Sequence, residues 1–394
     1  ATDRTPSMIL GPNLSQVSER TRVELQNLRL AWSWFALHGS GDEIGQVAEH
    51  TFYLCIISGL FSEALSMFEA TPRERSLRAA FSAYRGNCLV QLGRSEEATL
   101  ACREALALAD VDDLLILAHA HQGLANVLHR RADWNKASEQ YHKALALRAK
   151  DPLGRAYTTI SLAWLELQRG DLAAAASWLD ESETVCASLG FSFGLFAART
   201  CRGDLEARVG HHARALDAYR AALLLEGAIG HAGEIGVAYV KLGRSQSRMN
   251  DTRGARASFD HALALAHQSG DERLLVRAVT GVASLDDRAP DERRALFAQA
   301  LRGSLKTLNA LDASWALLEA ARFEAGEGNR SQASKMFALA RDLEASPLDE
   351  YEAELAHMNV DVAPSKRDLD VWTRIETVAE ECGVTREDGG QHAE

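Results

Sequence analysis

His119, His121 and His129 stand in one short stretch, and imidazole is the commonest metal ligand among side chains. Spacing decides whether they form a cluster. On a helix, positions two apart point to different faces, so His119 and His121 do not converge on one ion. They read as solvated or groove-lining side chains. His211 and His212 directly follow Gly210 and read as surface residues of a turn. The six cysteines, Cys55, Cys88, Cys102, Cys186, Cys201 and Cys382, are scattered and contain no Cys-x-x-Cys. A zinc site or disulfide framework is therefore not expected, and they read as small core residues of a reducing cytoplasm. No Gly-x4-Gly-Lys-Ser/Thr, no Gly-x-Ser-x-Gly and no His-Glu-x2-His occurs, so the usual phosphate-cradling, hydrolase and zinc-protease arrangements are absent. The expectation is a chain that is not an enzyme and carries no cofactor or metal.

The elements that would position any site are helices. Apolar residues make up 46% of the chain and charged residues 25%, with only 7 Pro in 394 residues; that favours an all-α chain with essentially no sheet. The length exceeds what one compact core usually supports, and a recurring layout resolves this in favour of an array. Turn positions fall at Gly59, Gly93, Ala132, Gly170, Gly210, Asn250, Arg288 and Gly328, spaced by 34, 39, 38, 40, 40, 38 and 40 residues. Five residues past the turn stands an alanine in seven of the eight, with Arg293 the exception. Nine past it stands a plug: Phe68, Cys102, Tyr141, Leu179, Tyr219, Phe259, Phe297 or Phe337. Seven before it, in the first helix, stand Phe52, Gly86, Ala125, Ala163, Gly203, Gly243, Gly281 and Ala321. Small residues allow two backbones to approach and the large residue fills the gap between them.

Around this array, 1–42 reads as a linker and an N-terminal helix from Leu14 to His38, and 43–345 as the repeats. Residues 346–384 read as two capping helices, near Leu348 to Met358 and Asp368 to Cys382, and 385–394 as a disordered tail. Asp and Glu outnumber Lys and Arg by 12, which opposes attraction to phosphate backbones or anionic headgroups. The longest apolar run, Phe52 to Phe61, contains Ser58 and Gly59 and falls short of the ~20 residues that a membrane span needs. Direct nucleic-acid and membrane partners are thus not expected, and the localisation reads as cytoplasmic. The chain opens on Ala1 rather than Met and reads as a piece of something longer.

The four-position pattern resembles the tetratricopeptide repeat. Its Leu-Gly pair is present at Leu242-Gly243, and its second-helix signature Ala-x3-aromatic-x2-Ala at Ala137, Tyr141, Ala144 and at Ala215, Tyr219, Ala222. The resemblance spans about 43–345 and implies a right-handed superhelical solenoid of about eight helix-turn-helix repeats. The period exceeds the usual ~34, as in the long-repeat variety of the maltose-regulator type. In such arrays the first helix of each hairpin lines the concave side, through positions six and three before, and one and four after, its small residue. Those positions supply the candidate effector-binding residues Asn87, His119, Gln122, Asn126, His129, Tyr157, Trp164, Asp204 and Arg244. A lining of amides, imidazoles and aromatics suits a peptide, protein or small-molecule effector; an ordinarily solvated inner face is the alternative. The chaperone-clamp variety needs a lysine four residues before Asn87, where this chain has Ala83.

A second resemblance precedes the repeats. Glu24-Leu-Gln-Asn-Leu-Arg-Leu-Ala-Trp-Ser-Trp is similar to the Glu-x-x-Asn-Leu-Arg-x-Ala-x-x-Trp segment that joins the winged-helix part of STAND ATPases to their tetratricopeptide sensor. This implies the sensor domain of a signalling or transcription regulator, whose upstream ATPase module would be its partner within the intact protein. A free-standing scaffold for protein-protein interaction and a peptide receptor, the latter motivated by Asn87 and Asn126, are the other readings.

Overall fold

The computed structural model describes residues 14–38, 41–69, 74–131, 133–229, 231–307, 309–343, 360 and 371–383. Every regular element among them is helical. The chain divides into two compact units, Ala1–His231 and Ala232–Glu394.

The first unit begins with α1 (Leu14–Val23) and α2 (Leu25–His38). The sequence periodicity predicts one helix here; Glu24 interrupts it, although its carbonyl still accepts from Leu28 N at 2.8 Å. Five hairpins follow. They are α3 (Gly41–Ile57) with α4 (Phe61–Phe68), α5 (Arg75–Gln91) with α6 (Ser95–Leu108), and α7 (Leu114–Arg130) with α8 (Trp134–Leu147). Then come α9 (Pro152–Arg169) with α10 (Leu172–Leu189), and α11 (Ser192–Arg208) with α12 (His212–Leu223), closed by a 3-10 turn at Glu226–Ala228. The second unit holds α13 (Ala232–Arg248) with α14 (Thr252–Ser269), α15 (Glu272–Ser284) with α16 (Pro290–Thr307), and α17 (Ala310–Gly326) with α18 (Arg330–Asp342). The second capping helix is found as α19, Val371–Gly383, packed on α16 and α18. The first capping helix, the tail, residues 1–13 and the turn residue Ala132 lie outside the described residues.

Turn chemistry explains the punctuation. Gly59, Gly93, Gly170, Gly210, Gly328 and Asn250 adopt left-handed φ between 60° and 85°, the conformation that ends a helix and that glycine and asparagine tolerate best. Gly190 and Gly270 do the same between hairpins. After Gly170, Asn250 and Gly270 the next helix is capped by an aspartate, whereas Leu60, Arg94, Phe191, His211 and Asn329 make no side-chain cap. Asp171, Asp251 and Asn309 each accept from the amide three residues on, at 2.9–3.0 Å, as N-caps do.

The plugs fill the hairpins as the spacing requires. All eight, from Phe68 to Phe337, are at most 2% exposed, and the seven alanines five residues past the turns are fully buried. The seventh hairpin departs from the pattern. Arg293, 8% exposed, donates to Ala283 O and Ser284 O and lies 4.4 Å from the Phe323 ring centroid. Its guanidinium thus satisfies carbonyls at the end of α15, a job done elsewhere by the left-handed turn residue.

Trp32 ties α2 to the first hairpins. Its indole N–H donates to Met67 O at 2.8 Å, and its ring meets Phe68 and Phe81 at 5.5 and 5.6 Å.

Candidate functional site

Within the first unit, α3, α5, α7, α9 and α11 pack on one another in turn, bringing most of the sequence-selected residues together. Their polar atoms mainly serve this packing. Asn87 Nδ2 donates to Ala83 O and to His119 O, both at 2.9 Å, joining α5 to α7. Gln122 Nε2 donates to Ser161 Oγ at 3.0 Å while its Oε1 accepts from Thr158 at 2.9 Å, joining α7 to α9. His129 Nε2 lies 2.9 Å from Gln168 Oε1, linking α7 to α9, and its Nδ1 lies 3.2 Å from the Tyr141 hydroxyl. Asn87, His119 and Gln122 are buried. Buried amides that bond across to a neighbouring helix hold a structure together, so Asn87 and Gln122, with the His119 carbonyl, serve as rungs between hairpins.

His119 is enclosed by aromatic rings: Phe52, Tyr53 and Tyr84 lie 5.3–5.8 Å from it, and its Nε2 is 3.5 Å from Tyr53 Oη. Burial, with a smaller contribution from Arg148, holds its pKa well below 6.5, so the ring is neutral. Burial likewise lowers His129, against the opposing bond to Gln168. Tyr53 of the first hairpin stacks on Tyr157 of the fourth at 6.2 Å, and burial drives the Tyr53 phenol well above its ordinary value.

Asn126 and Asp204 have a shared duty. Each stands one residue past the small position of its first helix and accepts the hydroxyl of its own hairpin's plug. Tyr141 donates to Asn126 Oδ1 at 2.8 Å and Tyr219 to Asp204 Oδ1 at 2.7 Å. Asn126, His129, Tyr157, Trp164 and Asp204 remain partly exposed. Arg244 belongs to the second unit, is exposed, and places its guanidinium 4.7 Å from the Trp315 ring centroid.

Several residues of this region carry no motif: Tyr53, Tyr84, Arg148, Asp151 and Phe191. Tyr53 was reachable, since it directly follows Phe52, the first-helix position of hairpin one. Arg148 lies between hairpins, outside the repeat register, and only the fold shows that it is 2% exposed.

Among α4, α5 and α6, a cleft of about 440 Å³ is lined by Leu65, Glu69, Arg85, Arg94, Glu97 and Glu104 among others. Its arginines are taken by Glu104 and Glu97 at 2.6 Å. Among the described residues, no group of three or more His, Cys, Asp or Glu is placed to hold a metal ion. All six cysteines are buried and unbridged. Among the same residues, no helix is long and apolar enough to cross a membrane.

The hairpin fold has solved counterparts. The chain is similar to a Rap protein solved in complex with competence and sporulation factor, at 13% identity and a TM-score of 0.58, over 86% of this chain and 98% of that one. It is also similar to the apo form of RapI, at 13% identity and a TM-score of 0.55, over 71% of this chain and 99% of that one. The fold is tetratricopeptide-like. No protein-family model matches the chain, and no curated protein does.

Proposed function

We propose that the chain is a non-catalytic sensing module that takes a peptide or protein partner on the inner face of its hairpins. The partly exposed set Asn126, His129, Tyr157, Trp164 and Asp204 is its point of contact, and Asn87, His119 and Gln122 are the rungs that keep these side chains in register. Support comes from the mixture presented there: amide, imidazole and carboxylate groups beside aromatic faces, which suits an extended backbone better than a flat apolar surface.

The Glu24 to Trp34 segment assigns the module, in our reading, to a STAND-type regulator, with the ATPase upstream. The observation that carries this is the seating of Trp32. Its ring contacts and its bond to Met67 O couple the segment to the first two hairpins, so a partner that re-sets the hairpins displaces the segment as well. A partner can shift that equilibrium only through its differential affinity for the two arrangements.

Two measurements test this reading. The coding sequence upstream of Ala1 should contain a P-loop and a winged helix; without them the regulator assignment falls and the partner-binding one stands. Peptide binding to the full chain, followed by titration calorimetry, should weaken on Asn126→Ala, and an unchanged affinity refutes the proposed contact face.

A further inference from the structure

The two ends of the first unit meet. In an open solenoid each hairpin contacts chiefly its neighbours, yet here the turn of hairpin one sits against His231, which follows hairpin five. A Cβ placed on Gly59 would lie 3.0 Å from His231 Nε2. The His231 ring centroid is 6.2 Å from that of Phe61, the first residue of α4, and 6.3 Å from that of Phe193 in α11. Helix α1 bridges the same seam: it packs on the 3-10 turn Glu226–Ala228, and Arg22 Nη2 donates to Ser58 O at 2.9 Å. Tyr53 of α3 also reaches past its neighbours to stack on Tyr157 of α9 at 6.2 Å.

This seam is a weaker joint than the packing of the hairpins themselves. Phe61, Phe193 and His231 are all partly exposed, whereas the plugs Phe68, Tyr141 and Tyr219 are at most 2% exposed. Less apolar surface withdrawn from water means less free energy holding the contact. Arg22, with 40% of its side chain exposed, adds a bond for which water competes. Folded chains open first at their least stable joints. Because α1 touches both sides of the seam, opening must displace it. Because Tyr53 belongs to hairpin one, opening also draws its ring away from Tyr157, a residue of the proposed contact face.

We propose that α1 and the contacts of His231 form a latch that holds the first unit closed, and that a peptide reaches the inner face when this latch opens. The gating role rests on the peptide-binding reading of that face and adds its control. A closed population lowers the apparent affinity in proportion to the open fraction, so loosening the latch tightens binding and locking it weakens binding. The element displaced, α1, runs directly into the Glu24 to Trp34 segment, which gives the opening a route out of the repeats.

The test uses the full chain and reads the closed state without any ligand. His231→Ala removes both ring contacts, and Arg22→Met removes the bond to Ser58 O while keeping the length of the side chain. Hydroxyl-radical footprinting should show Tyr53 and Tyr157 oxidised several-fold faster in each variant, with the plugs Tyr141 and Tyr219 unchanged. Equal oxidation of Tyr53 and Tyr157 in wild type and both variants refutes the latch, and so does an equal rise at Tyr141 and Tyr219, which reports general loosening. Should His231→Ala fail to fold, Arg22→Met carries the comparison. Gating is tested on an equimolar pool of random hexapeptides, with retained peptides identified by mass spectrometry and the strongest one titrated. Phe61→Cys with His231→Cys, joined by a short bismaleimide, locks the seam; the six native cysteines are buried, and the same variant capped with N-ethylmaleimide is the open control. The joined form should bind about tenfold or more weakly than the capped form, and His231→Ala should bind several-fold more tightly than wild type. Equal affinity of the joined and capped forms refutes the gate while peptide binding stands. If no form retains a peptide, the peptide-binding reading falls and the gating role with it, whereas the footprint alone decides whether the latch holds the unit closed.

Discussion

Gly203→Ala should destabilise the first unit even though alanine is the better helix former. Gly203 lies inside α11, where replacing glycine with alanine gains about 1 kcal/mol of helix propensity. Against this, a Cβ at that position would fall 2.3 Å from Tyr219 Cε1, 2.5 Å from Cδ1 and 2.7 Å from Cζ, where carbon atoms ordinarily sit about 3.5–4 Å apart. The ring has nowhere to move: it is 2% exposed and its hydroxyl is held by Asp204 at 2.7 Å. Three close approaches to a fixed ring put the overpacking cost near the top of its usual range, about 3 kcal/mol. The net loss is then about 2 kcal/mol, or a fall in Tm of about 4–8 °C for a unit of this size. Scanning calorimetry of the full chain, following the transition of the first unit, measures it. Tyr219→Ala alone should cost about 3–5 kcal/mol. In that background the added methyl enters vacated space, so Gly203→Ala should become neutral or stabilising. A rise in Tm from Gly203→Ala in the wild-type chain, or a second-background effect of the same sign and size, would refute the packing of Tyr219 against α11.

Three further outcomes follow from the same structure. His119 and His129 are kept neutral by burial, so between their lowered native values and 6.5 the unfolded chain binds more protons than the native one. Stability should therefore be fully present above pH 6.5 and fall as the pH drops below it, by at most about 1.4 kcal/mol per pH unit for each histidine; urea titrations of His119→Phe should show a shallower slope, and an unchanged slope refutes the assignment. Burial pushes the thiols of Cys55, Cys102, Cys186 and Cys382 up to about 12, so a thiol reagent at neutral pH should label the native chain only as fast as it opens. Trp32→Ala should cost about 3–5 kcal/mol, whereas Trp34→Ala, at a position 62% exposed, should cost under about 1 kcal/mol; equal costs would misplace the segment that joins α2 to the hairpins.

The repeat register was legible because it depends on local chemistry. Left-handed turn residues, alanines and plugs recur at fixed offsets, and these map onto close packing, within a hairpin where Gly203 meets Tyr219 and Gly243 meets Phe259, and between hairpins where Gly281 meets Phe259. Arg293 broke the pattern, and the fold shows it capping α15 with its guanidinium. What was hidden depends on distant segments. The offsets correctly place Asn87, His119 and Gln122 on first helices, yet nothing in their spacing reveals that neighbouring hairpins bury them: His119 is enclosed by Phe52, Tyr53 and Tyr84, which come from two other helices. The stacking of Tyr53 on Tyr157 joins residues more than a hundred positions apart. The division at His231 falls within the span that reads as one uniform array, and no change in the repeat pattern announces it.

The bonds from Tyr141 to Asn126 and from Tyr219 to Asp204 bear on how such a chain can diversify. In the proposed reading the acceptor occupies a position that would meet a partner, while the donor is fixed in the hairpin interior. Where the plug is tyrosine, the recognition position is already committed to an acceptor and drifts only together with its plug. Where the plug is Phe68, Leu179 or Phe259, the equivalent positions, Tyr53, Trp164 and Arg244, answer to no hydroxyl and vary in chemistry accordingly. Recombination should thus exchange whole hairpins rather than single helices, and new specificity should arise first in the repeats with apolar plugs.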